Sequence, residues 1–209
     1  MTTTPTPRPK QGRLSAAERR KKIIAAAGEV FVEQGFSGAR TKEIAERAGV
    51  TEAFLYRHLA SKEEMYEVSI VEPLRSGFAA LAYDIQGYYD TIDEPIAFMN
   101  ALNERCLRFY SEAAALQAVA LYSELGNGRE LYERALKPIL DKIGVLIADR
   151  MGWTERGLES DLVRRAILGA QWAIGLDIML RYRRMDLPQA AERLTLLFTS
   201  GIRRDLVES

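Results

Sequence analysis

The two residue types that carry most metal and redox chemistry are nearly missing from this 209-residue chain, which has one cysteine, Cys106, and one histidine, His58. A lone cysteine excludes an intrachain disulfide framework, and the pair cannot assemble the clustered ligand set of a zinc site. A glycine-rich phosphate loop and a strand-to-helix nucleophile turn are also missing. Carboxylates are plentiful but scattered as helix-surface charges, so neither enzymatic activity nor a cofactor or metal is expected. No uninterrupted apolar run reaches membrane length, and no apolar segment follows the early basic residues as it would in a signal peptide. A reducing, cytoplasmic location without membrane association fits these absences. The alternating pattern of a half-buried strand is absent too, which leaves an all-helical chain.

Charge is balanced in total and divided in position. Residues 1 to 62 hold twelve Lys/Arg against six Glu and no Asp, net +6, and the remaining seventeen Lys/Arg and twenty-three Asp/Glu give −6. A basic amino-terminal part beside an acidic remainder suits a reader of a polyanion joined to a body that does not touch it. At this length both a small domain and a larger one can bury a core.

Residues 1–14, rich in Thr and Pro with Arg8, Lys10 and Arg13, lack the periodicity of a packed element and are expected to be a disordered basic tail. Two readings stay open for it: a solvated leader, or an arm that follows phosphate or enters a minor groove. Ser15 and Glu18 then form a capping box, opening a helix with Ile23, Ile24, Ala27, Val30 and Phe31 at helical spacing until Gly35. Its Arg19, Arg20, Lys21 and Lys22 cannot all face one way.

The densest signal is the run from Thr41 to Met65. Thr41 is placed to cap a helix carrying Ile44, Ala45 and Ala48 inward, and Gly49 ends it, with Val50 packing into the angle to the next helix. Thr51 caps a short helix in which Leu55 and Leu59 bury at i and i+4, leaving Ala53, Phe54, Tyr56, Arg57 and His58 around the rest of the surface. Ser61 with Glu64 is another capping box, with Lys62 inside its first turn. A lysine there opposes the positive helix end, which a nearby phosphate would relieve.

With Leu55-Tyr56-Arg57-His58-Leu59 followed by Ser61-Lys62-Glu63-Glu64, residues 15 to 66 resemble the signature of TetR-type transcriptional regulators. Two departures stand out: Leu59 where phenylalanine is commoner, and Glu52 where the family often has a basic or small residue. The resemblance implies a three-helix helix-turn-helix domain over 15–62, followed by a larger helical effector-binding and dimerisation domain over 63–209. It also implies a homodimer on a double-stranded palindromic operator, repressing until a small apolar or amphipathic effector releases it. The competing reading is a DNA-associated protein of the same fold that recruits a protein partner and senses no metabolite.

Roles follow from chemistry and position. Thr41, Lys42, Tyr56, His58 and Lys62 are candidate phosphate contacts, and Arg57 can clamp phosphate or read guanine. Thr51, Glu52, Ala53 and Phe54 start the recognition helix and are the candidate base readers, Glu52 by accepting from a cytosine amino group. In the body, the helix beginning at Lys62 is expected to bend at Pro73. A second begins near Pro95 with Phe98, Leu102, Cys106 and Phe109 inward, and a separate one spans about 112–125 to a break at Gly126-Asn127-Gly128. The next runs from about 129 to 151 with a kink near Arg134 before Pro138, followed by a turn at Gly152, Thr154 and Gly157. Ser160 to Arg183 carries small Ala166, Gly169, Ala170 and Ala173 on one side, and the segment 188–207 carries Leu194, Leu197, Phe198, Gly201 and Ile202. By the resemblance these two helices form a four-helix bundle with a second subunit. Phe109, Tyr122, Gln171, Trp172 and Asp177 are the nominated effector contacts, and a buried Asp177 would require a partner.

Overall fold

Ser15 opens the first helix as its spacing predicts: its hydroxyl accepts the Glu18 N–H at 3.2 Å, and the Glu18 carboxylate accepts the Ser15 N–H at 2.6 Å. The computed structural model describes residues 15–122, 128–154, 161–181 and 185–200, and within them every regular element is helical. The basic tail, Gly126, Asn127, Gly157, Ser160, Gly201 and Ile202 lie outside those residues.

Helix α1 (Ala16–Gly38) buries Ile23, Ala27, Val30 and Phe31 completely. It leaves helical geometry once, at Gly35, whose φ of 70° is open to glycine at little cost. Helices α2 (Thr41–Ala48) and α3 (Glu52–His58) meet at Gly49, in the left-handed region at φ 69°, ψ 38°; Val50 follows, half-buried against the core, its N–H bonded to the Ala45 carbonyl. The Thr51 hydroxyl caps α3 by accepting the Phe54 N–H at 3.2 Å, and Leu55 and Leu59 anchor its inner side.

Pro73 and Pro138 are absorbed by the same device. After α4 (Lys62–Tyr66) the helix widens into a π-helical turn at Glu67–Val71, where the Glu72 N–H reaches back five residues to the Glu67 carbonyl; α5 (Glu72–Thr91) follows with Pro73 in its first turn. A wider turn makes room between the proline ring and the carbonyl four residues earlier, that of Ser69. The kink expected near Arg134 is the same arrangement: α7 (Gly128–Leu131), a π-helical turn at Tyr132–Leu136, then α8 (Lys137–Arg150) with Pro138 in its first turn.

Two expected helices prove to be one. Helix α6 runs unbroken from Pro95 to Tyr122, started by the Glu94 carboxylate accepting the Ile96 and Ala97 N–H groups. No glycine or proline interrupts it, and Ser111 bonds to the Arg108 carbonyl inside the helix instead of capping a new one. Phe98, Leu102, Cys106 and Phe109 are all buried, and α6 packs against α1, α5, α9 (Asp161–Arg181) and α10 (Leu187–Ser200), which makes it the axis of the body. Helix α9 comes close to α6 at Gly175, where a Cβ would lie 2.5 Å from Tyr110 Cβ; at Gly169 nothing of the same subunit lies within 4 Å of that position.

Candidate nucleic-acid interface

Anchored by Leu55 and Leu59, α3 presents Thr51, Glu52, Ala53, Tyr56 and Arg57 to solvent, with Phe54 and His58 half-buried at its flank. The Phe54 ring lies 4.7 Å from the His58 ring, with the Arg57 guanidinium 5.1 Å from its centroid and that of Arg19 from α1 at 5.7 Å. Phe54 is therefore a platform that holds two guanidinium groups beside the recognition helix, each contact contributing about 0.5–1 kcal/mol when exposed. Arg19 thus belongs to the site, although a run of four basic residues at the start of α1 could not say which of them turns inward. Lys22 lies beside Gly49 at the carboxy-terminal end of α2, where its charge complements the helix dipole, and Arg20 and Lys21 face solvent.

Thr41 is not the cap of α2. Arg40 holds that position with extended backbone and no side-chain bond, and Thr41 is the first helical residue. Its hydroxyl turns toward α3 instead, donating to Glu52 Oε1 at 2.7 Å and accepting the Tyr56 hydroxyl at 3.3 Å. Lys42 is exposed on the next position. Beyond α3, Ser61 caps α4 by accepting the Glu64 N–H at 3.1 Å, while the Glu64 carboxylate takes the N–H of Ala60, one residue earlier than a capping box requires. The Lys62 ammonium sits 4.6 Å from the Phe36 centroid.

Acidic groups of the same unit are drawn away from α3. Arg47 bonds Glu33 at 2.7 Å and Glu43 at 2.9 Å, with Glu29 at 3.8 Å, and Gln34 donates to both Glu43 oxygens at 2.8 Å. The Arg47 hydrogen bond holds the Glu33 carboxyl below its usual range, and the same bond raises the guanidinium. Three carboxylates gathered on the α1–α2 side leave the α3 face the more basic one.

In the body, a cavity of about 330 Å³ opens between α6, α8 and α9. Of the nominated effector contacts it takes in Tyr122, at the rim and 80% exposed, and Trp172. Phe109 is core, its ring 4.8 Å from that of Phe78. Gln171 is buried in a polar chain that links three helices: its Nε2 donates to Asn103 Oδ1 at 2.5 Å, and Asn103 Nδ2 donates to Thr195 Oγ1 at 2.9 Å. Asp177 is half-exposed and paired with Arg181 one turn on at 2.6 Å, so it does not need a ligand cation. Missed by periodicity was Gln117, whose Oε1 is buried at the cavity without a partner, as is Trp172 Nε1. Unmet polar groups cannot be read from spacing.

On the outer side of α9, Ala166, Gly169 and Ala173 are exposed together with Leu162 (76%) and Leu180 (64%), and Ala170 is half-buried. On α10, Leu197 (62%) and Leu196 (66%) face outward, whereas Leu194 is buried and Phe198 packs partly against the subunit's own core. Leu194 therefore serves this subunit's interior rather than an outer face.

Residues 23–68 match the family model described as bacterial regulatory proteins, tetR family. The transcriptional activator FasR of Mycolicibacterium smegmatis is 50% identical over 54 residues, which span 26% of this chain and 25% of FasR. The transcriptional repressor KstR2 of Mycobacterium tuberculosis is 25% identical over 190 residues, 84% of this chain and 86% of that protein. Among solved structures, the fatty acid degradation regulator FadR from Bacillus halodurans superimposes with a TM-score of 0.66 at 20% identity, covering 92% of this chain and 99% of its own.

Proposed function

For a chain that belongs to the TetR family of DNA-binding transcriptional regulators, we propose the role of a dimeric repressor that grips a palindromic operator and lets go when a small apolar or amphipathic molecule occupies the body. The similar proteins are transcriptional regulators, and the recruiter reading is set aside.

Two recognition helices are needed because one seven-residue helix meets few base pairs, and a dyad lets them read half-sites one helical turn apart, roughly 34–36 Å. The exposed apolar residues Leu162 and Leu180 on α9 with Leu196 and Leu197 on α10 support a two-fold interface, since large apolar side chains left open to solvent together favour association. Tyr56, Thr41, Lys42, His58 and Lys62 position the duplex through phosphate; Thr51, Ala53 and Arg57 face the base edges, and Phe54 steadies Arg57 for that task.

The observation that carries the effector reading is the double use of the last turns of α6. Gln117 and Leu121 line the cavity, and Val119 between them accepts the hydroxyl of Tyr66 from α4, directly beyond the recognition helix. An occupant that shifts this end of α6 moves α4 with it. Tenfold release requires about 1.4 kcal/mol of differential affinity between the two arrangements. The test is fluorescence anisotropy on the DNA flanking the chain's own gene against scrambled DNA across a salt series, with and without candidate amphiphiles. Selective binding of two subunits per site that an amphiphile reverses supports the proposal. Equal, weak binding on both duplexes would count against it.

A further inference from the structure

The two hydroxyls assigned to the DNA backbone at the start of the helix pair are already committed. Tyr56 donates its proton to Thr41 at 3.3 Å, and Thr41 donates its own to Glu52 Oε1 at 2.7 Å. Each hydroxyl has one proton to give, so neither can serve a phosphate while the chain Tyr56 to Thr41 to Glu52 is intact. The terminal acceptor is an anionic oxygen, the same kind of acceptor that a phosphate would present.

We propose that Glu52 is an internal stand-in for a DNA phosphate, which holds the Thr41 and Tyr56 donors in the free protein and penalises any duplex that cannot rehouse its carboxylate. Glu52 is the acidic residue of α3, in a helix that also carries Arg57 and His58. Among the described residues no lysine or arginine forms an ion pair with it, in contrast to Glu33 and Glu43, which Arg47 holds. Its acceptor capacity is directed at the hydroxyl chain. Non-specific DNA is held through phosphate without a base donor set opposite Glu52, so the carboxylate is displaced against like charge with nothing gained. A site offering a cytosine amino group in the major groove gives the same carboxylate a new donor. One residue thus weakens binding to the wrong duplex more than to the right one, and specificity is that difference.

The inference rests on Thr41 and Tyr56 contacting phosphate, and the experiment separates the two claims. Anisotropy titrations use a labelled duplex of random sequence at fixed salt, with Glu52→Ala made in the natural background and in a Thr41→Val/Tyr56→Phe background. The double variant alone is expected to weaken binding. Glu52→Ala is expected to strengthen it about tenfold in the natural background and about threefold or less in the double variant, where only removal of a repelling charge remains. An equal gain in both backgrounds overturns the stand-in role. No weakening by the double variant overturns the phosphate assignment itself. Glu52→Gln, which keeps the side-chain length, is measured in parallel with circular dichroism so that loss of α3 is not mistaken for either result.

Discussion

The hydroxyl of Tyr66 donates to the backbone carbonyl of Val119 at 2.9 Å, fastening the helix after the recognition helix to the axis of the body. The Tyr66 ring also meets Phe31 and Phe36 edge-on at 5.2 and 5.3 Å. One side chain thereby joins α1, α4 and α6. Tyr66→Phe keeps the ring packing and removes the bond, so stability should fall by about 1 kcal/mol in urea unfolding. The variant should also respond less to any effector that releases DNA, and an unchanged response would remove Tyr66 from the coupling.

Gly175 and Gly169 share α9 but not an environment. Adding a methyl at Gly175 places it 2.5 Å from Tyr110 Cβ and 2.7 Å from the Tyr110 carbonyl carbon, so the helices must separate. Gly175→Ala should cost about 1–3 kcal/mol. Gly169→Ala meets nothing within the subunit and should be neutral or slightly stabilising through helix propensity. Thermal melts of the two variants side by side settle the contrast, and similar losses would contradict it.

Leu197 lies on the outward face of α10, 62% exposed. If that face meets a second copy, Leu197→Glu buries an unpaired charge at the interface and should yield monomers in light scattering. A dimer that persists in the variant would move the interface elsewhere. Leu194→Ala, inside the subunit, should instead lower stability by about 2–5 kcal/mol.

Acid should act through Glu33. Its folded value is depressed by the Arg47 hydrogen bond, so its contribution is fully present above the unfolded carboxylate value, about 4.3, and is lost as pH falls through the folded value. Glu18, depressed by the Ser15 N–H, acts in the same direction. Melting temperature should therefore drop below about pH 4.3, and Glu33→Gln should flatten part of that drop. Superimposable pH curves for the two proteins would rule out the Glu33 contribution.

Cys106 is buried completely, and burial pushes its thiol up to about 12. A thiol reagent at pH 8 should leave the folded protein unmodified and react with one group per chain in denaturant. Full reaction of the native protein would mean that α6 opens readily.

The helix-turn-helix was legible because its instructions are local. Gly49, Thr51, Leu55 and Leu59 act within a few residues of themselves: a left-handed turn, a cap and an i, i+4 anchor depend on backbone geometry that neighbours in sequence determine. The capping box at Ser15 was legible for the same reason. Thr41 shows the limit. As a cap it satisfied every local rule, yet Glu52 and Tyr56, eleven and fifteen residues away, compete for its hydroxyl, and only the crossing of α2 and α3 brings them within reach.

The same division runs through the body. Sequence alone determined that the described elements are helical, that a basic stretch precedes an acidic one and that Pro73 and Pro138 disturb their helices, because composition, period and the missing proline N–H are properties of the residues themselves. Tertiary structure decided that each disturbance takes the form of a π-helical turn, that Gly175 rather than Gly169 meets α6 too closely for a side chain, and that Asp177 pairs at the surface while Gln171 is buried with Asn103. Those outcomes depend on which faces meet. A periodic pattern tells that a face is apolar, but the partner it packs against, and any polar group left unmet there, exist only once the helices have come together.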